Sequence, residues 1–380
     1  MNIVFLCGSL DPGKDGVGDY TRRLAGELIR QGNSCTIVAI MDKGVQERID
    51  EIQESEFTPI TVLRLPISNG YQLNCIEAKP WVDNFNPDWI SLQYVPFSFH
   101  SKGLPFGLGK SIQQLNQGRK LHIMFHELWI DRTRGNPLKK KILSYFQQYQ
   151  TYRLASMTKP LCVHTHLPLY QRKLWQINID AKPLPLFSNF KTIEKLESKK
   201  ETTVFKMAFF SQIRTLPAIF DFINAFSLEL LDKGFSPELV LIGGNKVKME
   251  SMVSIFKMAC PDLNSVTYTG FLDESAVLKT IGECDLGISP VPQHVIGKSG
   301  SVAAFFSQTV PVAAPVVQNT YKEWGIGFFL EEEMNSVLLK PTWNAYLEVK
   351  KTVRTVPDKI NISTVISMFS SDLKSVEKPI

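Results

Sequence analysis

Long hydrophobic runs, paired cysteines and a dominant charge are all missing from this 380-residue sequence. No segment approaches the ~18 uninterrupted apolar residues that cross a bilayer, and the apolar start MNIVFLCGSL stops at Gly8 without a basic flank, so neither a spanning helix nor a signal sequence is expected. The six cysteines are scattered singly, mostly in or beside apolar runs. That pattern excludes a zinc ribbon or a redox pair and predicts buried free thiols in a cytoplasmic protein. Lys and Arg (42) exceed Asp and Glu (37) by five, too thin an excess over this length for a nucleic-acid binder.

What is present is ordinary globular composition, 44% hydrophobic and 21% charged, at a length that suits two to three domains of about 150 residues. Continuous apolar runs alternate with amphipathic stretches. IVFLC (3–7), CTIVAI (35–40), VLRLP (62–66), WISLQY (89–94), KLHIMFH (120–126), LCVH (161–164) and LPLF (184–187) read as buried strands, with helices between them at 20–30, 77–84, 107–116, 137–156 and 167–175. The charged stretch 191–203 reads as a connection. A second series follows, with strands MAFF (207–210), ELVLIG (238–243), SVTYTG (265–270), DLGISP (285–290) and VPVAA (310–314), and a helical tail from about 344 to 376. The fold class expected is α/β, with two Rossmann-like parallel sheets covered by helices.

Open parallel sheets bind ligands beyond the carboxyl ends of their strands, which selects four segments. Gly13, Gly16 and Gly18 lie after the first strand and before a helix, where bare backbone N–H groups attract an anion; Thr21 stands where a GxGxxG fingerprint needs its last glycine. HIMFHELW ends a strand on His126 and Glu127, without metal-ligand spacing. His164 and His166 form an HxH that lacks acidic partners and so argues for no metal. GKSGS places Lys298, Ser299, Gly300 and Ser301 at a helix start, a dipole-favoured anion site that is not a Walker A motif because Pro292 replaces its first glycine. FFSQIRTLP offers Ser211, Gln212 and the forked donors of Arg214.

In this order and spacing the segments resemble the GT-B glycosyltransferases, and among them family 4. IVFLCGSLDPGKDGVGDYTRRLAGELIRQGNSCTIVAI is similar to the family's opening strand, glycine loop and helix, NPDWISLQYVPFSFH to its PDxxxxQY segment, IMFHELW to its THHD-like strand end, and TYTGFLDESAVLKTIGECDLGISP to its GF turn. The resemblance implies two Rossmann-like domains facing across a cleft: 1–190, joined by a C-terminal helix at 358–380, for the acceptor, and 191–357 for a sugar nucleotide. It implies transfer of a sugar from a nucleotide diphosphate to an acceptor hydroxyl, with retention. His126 and Asp19 would be catalytic. Gly16, Gly18, Ser211, Gln212, Arg214, Gly243, Lys298, Ser299, Gly300 and Ser301 would bind the donor, and Tyr20, Tyr94, His100 and Glu127 the acceptor, which would be a glycan, a lipid-linked molecule or a small molecule.

No cofactor beyond the nucleotide sugar is implied, and without an Asp-x-Asp pair no metal bridging the diphosphate is expected. The sequence also departs from the family. Ile296 and Ala304 occupy the two positions of its ExxxxxxxE glutamates, and Gln212 and Pro217 those of its GRxxxxKG pair. These losses equally suit a GT-B protein that binds nucleotide or glycan without turnover, while a sugar-nucleotide epimerase or hydrolase would need converging acids that are not evident. Arg132, Arg134, Lys139, Lys140 and Lys141 cluster at the start of the long mid-chain helix, as in either a solvated face or a peripheral contact with an anionic lipid surface.

Overall fold

The computed structural model describes residues 1–132, 137–190 and 203–376. Most of the expected connection at 191–203, as well as Arg134, lies outside them. The chain divides into two compact units, Met1–Leu184 with Val365–Ile380, and Pro185–Thr364.

The first unit holds an eight-stranded sheet of β1 (Asn2–Cys7), β2 (Ser34–Asp42), β3 (Ile49–Ser55), β4 (Thr58–Pro66), β5 (Trp89–Tyr94), β6 (Lys120–Phe125), β7 (Cys162–Thr165) and β8 (Lys182–Pro183), in the order β3-β4-β2-β1-β5-β6-β7-β8. All pairs are parallel except β3 with β4. The strand order reverses between β1 and β5, which opens the crevice where such sheets take ligands. Ile3–Cys7 are fully buried because helices cover both faces of the sheet.

Two expectations fail here. LPLF is not a strand; the edge is the two-residue β8 just before it. The hairpin β3–β4 was not expected. Its turn uses Glu56 and Phe57 at φ 50° and 62°, left-handed positions usually marked by Asn or Gly, so the usual sequence signal is absent. Along β3 the side chains turned inward include polar ones: Gln53 is buried and accepts from the Arg22 guanidinium at 2.7 Å, while Ile52 faces solvent.

The second unit holds β9 (Val204–Phe210), β10 (Ser236–Ile242), β11 (Ser265–Gly270), β12 (Leu286–Ile288), β13 (Val312–Ala313) and β14 (Val337–Leu338), in the order β11-β10-β9-β12-β13-β14, parallel throughout. One face packs Phe209, Phe226, Phe256 and Tyr346, the other Ile296, Ala304, Phe305 and Val353. The helix Gly300–Ser307 approaches β12 so closely that a Cβ on Gly287 would meet the Phe305 ring at 2.6 Å, which fixes the helix start beyond the strand end.

Candidate functional site

In the first unit the loop after β1 rests on a buried ion pair. Asp42 accepts from the Ser9 hydroxyl (3.0 Å), the Leu10 N–H (3.0 Å) and the Arg64 guanidinium (2.8 Å). Burial alone would raise the Asp42 carboxyl, but Arg64 and the N–H groups of Gly44 and Leu10 hold it below its ordinary value. The first helix, Gly16–Arg30, is capped by Asp15, which accepts from the Gly18 N–H at 2.7 Å; burial raises the Asp15 carboxyl. Asp19 accepts from the Gly13 N–H (3.1 Å) and from Arg22 (2.7 Å), so the carboxylate expected to be catalytic also holds its own loop. At Gly18 an added Cβ would lie 2.4 Å from the Ser9 carbonyl. The missing side chain there makes room for the protein's own backbone, and its N–H is taken by Asp15. At Gly16 nothing lies within 4 Å of such a Cβ.

The more consequential correction concerns His126. Because side chains on a strand alternate, Ser91 and Gln93, His122 and His126, and His164 and His166 project to one face of β5, β6, β7 and their ends. They form one buried chain. From the C-terminal helix (Ile362–Ser375), Asp372 lies 3.1 Å from His164 Nε2; His164 Nδ1 is 2.9 Å from His122 Nε2, and His122 Nδ1 is 2.8 Å from Ser91 Oγ. Gln93 donates to Ser91 Oγ at 2.8 Å and places Oε1 2.8 Å from His126 Nε2. His126 Nδ1 is 3.0 Å from His166 Nε2, and His166 Nδ1 is 2.9 Å from the Leu184 carbonyl. Both ring nitrogens of His126 are therefore engaged, and the Tyr20 ring sits edge-on against it at 4.9 Å. In this arrangement both nitrogens face protein atoms and the ring is 6% exposed, so His126 is not presented to a ligand. It braces the strand ends and the first helix instead.

The chain has a proton arithmetic of its own. Its two ends, a carboxylate and a carbonyl, only accept. Between them each neutral imidazole brings one N–H, Ser91 one O–H and Gln93 one amide nitrogen, six donors for the seven contacts. With all imidazoles neutral and Asp372 ionised, one contact is left unmade. Burial makes the completing proton costly: it pushes His122 and His126 well below the ordinary imidazole range, lowers His164 despite the opposing pull of Asp372, and lowers His166 to about 4.

The expected acceptor residues fare unevenly. Tyr94 is fully buried, stacked near Phe99 and edge-on to Phe125, so it belongs to the core and not to an acceptor surface. Tyr20 is 2% exposed, pressed against His126 and His166. The His100 Nδ1 accepts from the Lys102 and Leu104 N–H groups (3.2 and 3.3 Å), organising its own loop. Glu127 stays half-exposed beside His126.

Sequence reasoning missed Ser91, Gln93, His122 and Asp372. Ser91 and Gln93 show as polar residues two apart on one apolar strand, and His122 stands four before His126 on the next, spacings that place each pair on one face. Nothing in the sequence pairs Asp372 with them across 208 positions.

In the second unit, Ser211 at φ 63° turns the chain at the end of β9, and Ser211, Gln212 and Arg214 are exposed. Gly243 (φ 92°) donates to the Thr269 hydroxyl at 3.1 Å. Ser299 caps the helix Gly300–Ser307, its side chain accepting from the Val302 N–H at 3.4 Å. The cap engages one lone pair of its oxygen, and the N–H groups of Gly300 and Ser301 keep the first-turn positions that no helix carbonyl satisfies. Lys298 is half-buried one residue before the cap, and the His294 ring stacks on Tyr321 at 4.3 Å, a pair the sequence reading did not pick out. Ile296 and Ala304 are fully buried, so the positions of the family's glutamates are filled by core packing.

Among the described residues no group of three or more His, Cys, Asp or Glu is arranged to hold a metal ion. A cavity lined by Tyr152, Lys159, Asn178, Asp180 and Lys182 opens at the amino end of β7, away from the ligand edge of the sheet.

No protein-family model matches the chain, and no curated protein matches it in sequence. Solved structures do match. HepE of Anabaena, in complex with UDP and glucose, superimposes with a TM-score of 0.59 at 14% identity, covering 99% of this chain and all of that one. The catalytic domain of starch synthase IV from Arabidopsis thaliana, bound to ADP and acarbose, gives 0.58 at 11% identity with both chains fully covered. A UDP-N-acetylglucosamine 2-epimerase from Listeria monocytogenes gives 0.52 at 10% identity over 99% of this chain and 96% of that one. Correspondence over the whole length, together with this chain's two mostly parallel sheets, shows that it has the two-unit GT-B fold.

Proposed function

We propose that the protein moves a glycosyl group from a nucleoside-diphosphate sugar to an acceptor hydroxyl. The observation that supports this most is the full-length match to structures that hold UDP with glucose and ADP with acarbose. Leaving-group departure spreads negative charge over a diphosphate, so the chemistry calls for N–H groups and cations aimed at it. The start of the helix Gly300–Ser307 supplies two first-turn N–H groups and the positive end of the dipole, with Lys298 one residue before the cap. Arg214 and Gln212 add exposed donors at the end of β9. This cationic set would neutralise the diphosphate without a metal, and retention of the anomeric configuration completes the proposal. In the first unit, the half-exposed Glu127, which follows the braced His126, and the exposed glycine turn at 13–16 would face an acceptor.

Titration with UDP and ADP tests the donor site. Lys298→Ala should weaken diphosphate binding by about ten-fold or more, the loss of one charge-assisted contact. Unchanged binding, or no binding of either nucleotide to the wild type, would overturn the assignment. Turnover of UDP- and ADP-sugars in chelator, with the product anomer read by NMR, tests metal independence and retention.

A second function is favoured by the engaged nitrogens of His126 and by core residues at the glutamate positions: a nucleotide-binding protein without turnover. Nucleotide binding with neither transfer nor donor hydrolysis would select it.

A further inference from the structure

The long helix Leu138–Thr158 of the first unit is amphipathic the wrong way round. The side it turns into the protein is largely polar: Ser144, Gln147, Gln150 and Thr151 are buried there. These groups dock the helix by hydrogen bonds. Ser144 donates to the Ile130 carbonyl, and Gln147 accepts from the Ile130 N–H (2.9 Å) and donates to the Lys102 carbonyl (2.8 Å). The outward side carries Leu138, Ile142, Tyr145, Phe146, Tyr149 and Tyr152, each between 43 and 72% exposed. Their spacing of three and four residues gathers them into one stripe four turns long. A contiguous apolar and aromatic stripe of this size on a water-facing surface marks a contact with something else.

Charge selects the occupant. The helix contains Lys139, Lys140, Lys141 and Arg153 and no acidic residue at all. Lys139 and Lys140 are exposed beside the start of the stripe and Arg153 beside its end, while the Arg132 guanidinium sits 4.2 Å over the Tyr145 ring. Lysine is depleted from the cores of protein interfaces, whereas tyrosine rings next to basic side chains suit the headgroup level of a bilayer, where the ring enters the acyl boundary and the hydroxyl stays wet. We propose that this helix face is a peripheral docking surface for an anionic bilayer, the aromatic stripe lying at the acyl boundary and the lysines against headgroup phosphates. The assignment is independent of the glycosyl-transfer proposal, since it uses none of the residues assigned there.

Co-sedimentation of the full chain with phosphatidylcholine vesicles, with and without phosphatidylglycerol, tests it. The wild type should sediment with the anionic vesicles, leave them at high salt and ignore the neutral ones. Replacing Lys139, Lys140 and Lys141 with Gln should lower partitioning by about five-fold per lysine. Tyr145→Ser with Phe146→Ser should release the protein although every lysine remains. Both variants should melt with the wild type, because Lys139, Lys140, Tyr145 and Phe146 are exposed and Lys141 is half-exposed. Equal partitioning into the two vesicle types, no sedimentation with either, or variants that bind as the wild type would overturn the proposal. So would a wild-type dimer that Tyr145→Ser with Phe146→Ser splits into monomers, which would assign the stripe to a second copy of the chain.

Discussion

His166→Gln offers the sharpest test of the buried histidine chain. In the folded protein His166 is fully enclosed, and burial lowers it from 6.5 to about 4. The unfolded chain takes up its proton near pH 6.5, so the stability contributed by the neutral folded imidazole is complete above that pH. It is lost progressively as pH falls towards 4. A shift of this size corresponds to about 3 kcal/mol, on the order of 1.4 kcal/mol per pH unit. Glutamine can keep a hydrogen bond to the Leu184 carbonyl but does not titrate, so at pH 7.5 the variant should be less stable by about 1–3 kcal/mol through imperfect geometry. The wild type then loses stability with acid that the variant does not lose, and the difference between them should shift by about 3 kcal/mol in the variant's favour on going to pH 4, closing or reversing the gap. Urea unfolding followed by circular dichroism from pH 7.5 to 4 measures both curves. Using the difference matters, because Glu333 in the other unit titrates with the opposite sign and would mask the effect in the wild type alone. Parallel curves across this range would refute the placement of a neutral, buried His166.

Three further tests follow from the same geometry. Burial raises the Glu333 carboxyl from 4.5 to about 8, so its folded form prefers the proton; stability is full below pH 4.5 and lost as pH rises to 8, and Glu333→Gln should stabilise the protein by up to about 5 kcal/mol at pH 8 and by almost nothing at pH 4.5 in paired thermal melts. Asp372→Asn brings an amide donor to His164, which fills the missing contact at the His126–His166 end once the His164 and His122 tautomers and the Gln93 amide reverse, while its oxygen still accepts from Lys182; it should cost at least about 1 kcal/mol less than Asp372→Ala in denaturant unfolding, and equal costs would show that the donor shortage is not felt. Gly18→Ala should destabilise by about 1–3 kcal/mol through the clash with the Ser9 carbonyl, whereas Gly16→Ala, in open space at the helix start, should raise the melting temperature.

Residue order alone determined the periodic features of this protein. Apolar runs bounded by turn residues gave most of the parallel strands, because a strand covered on both faces has no freedom to be polar. The GKSGS turn marked the start of the helix Gly300–Ser307, because capping is a local interaction between neighbours in the chain, whereas the first helix begins at Gly16, four residues before the expected start at 20. The motif spacing pointed to the GT-B fold that the whole-chain superposition shows. Tertiary structure decided what those residues do. His126 stands at a strand end in a histidine-rich motif, which by itself is as compatible with a catalytic group as with a brace; only the arrival of Gln93 from β5 and His166 from the end of β7 uses up its nitrogens. Tyr94 turned from an expected ligand contact into a core ring for the same reason, since burial is set by segments far away in sequence. The hairpin of β3 escaped because Glu56 and Phe57 hold a turn that local preference assigns to other residues; the long helix was legible as a helix, but not that its polar side is the buried one. Sequence periodicity shows that a helix has two faces. Which face meets solvent is fixed by what the rest of the chain places against it.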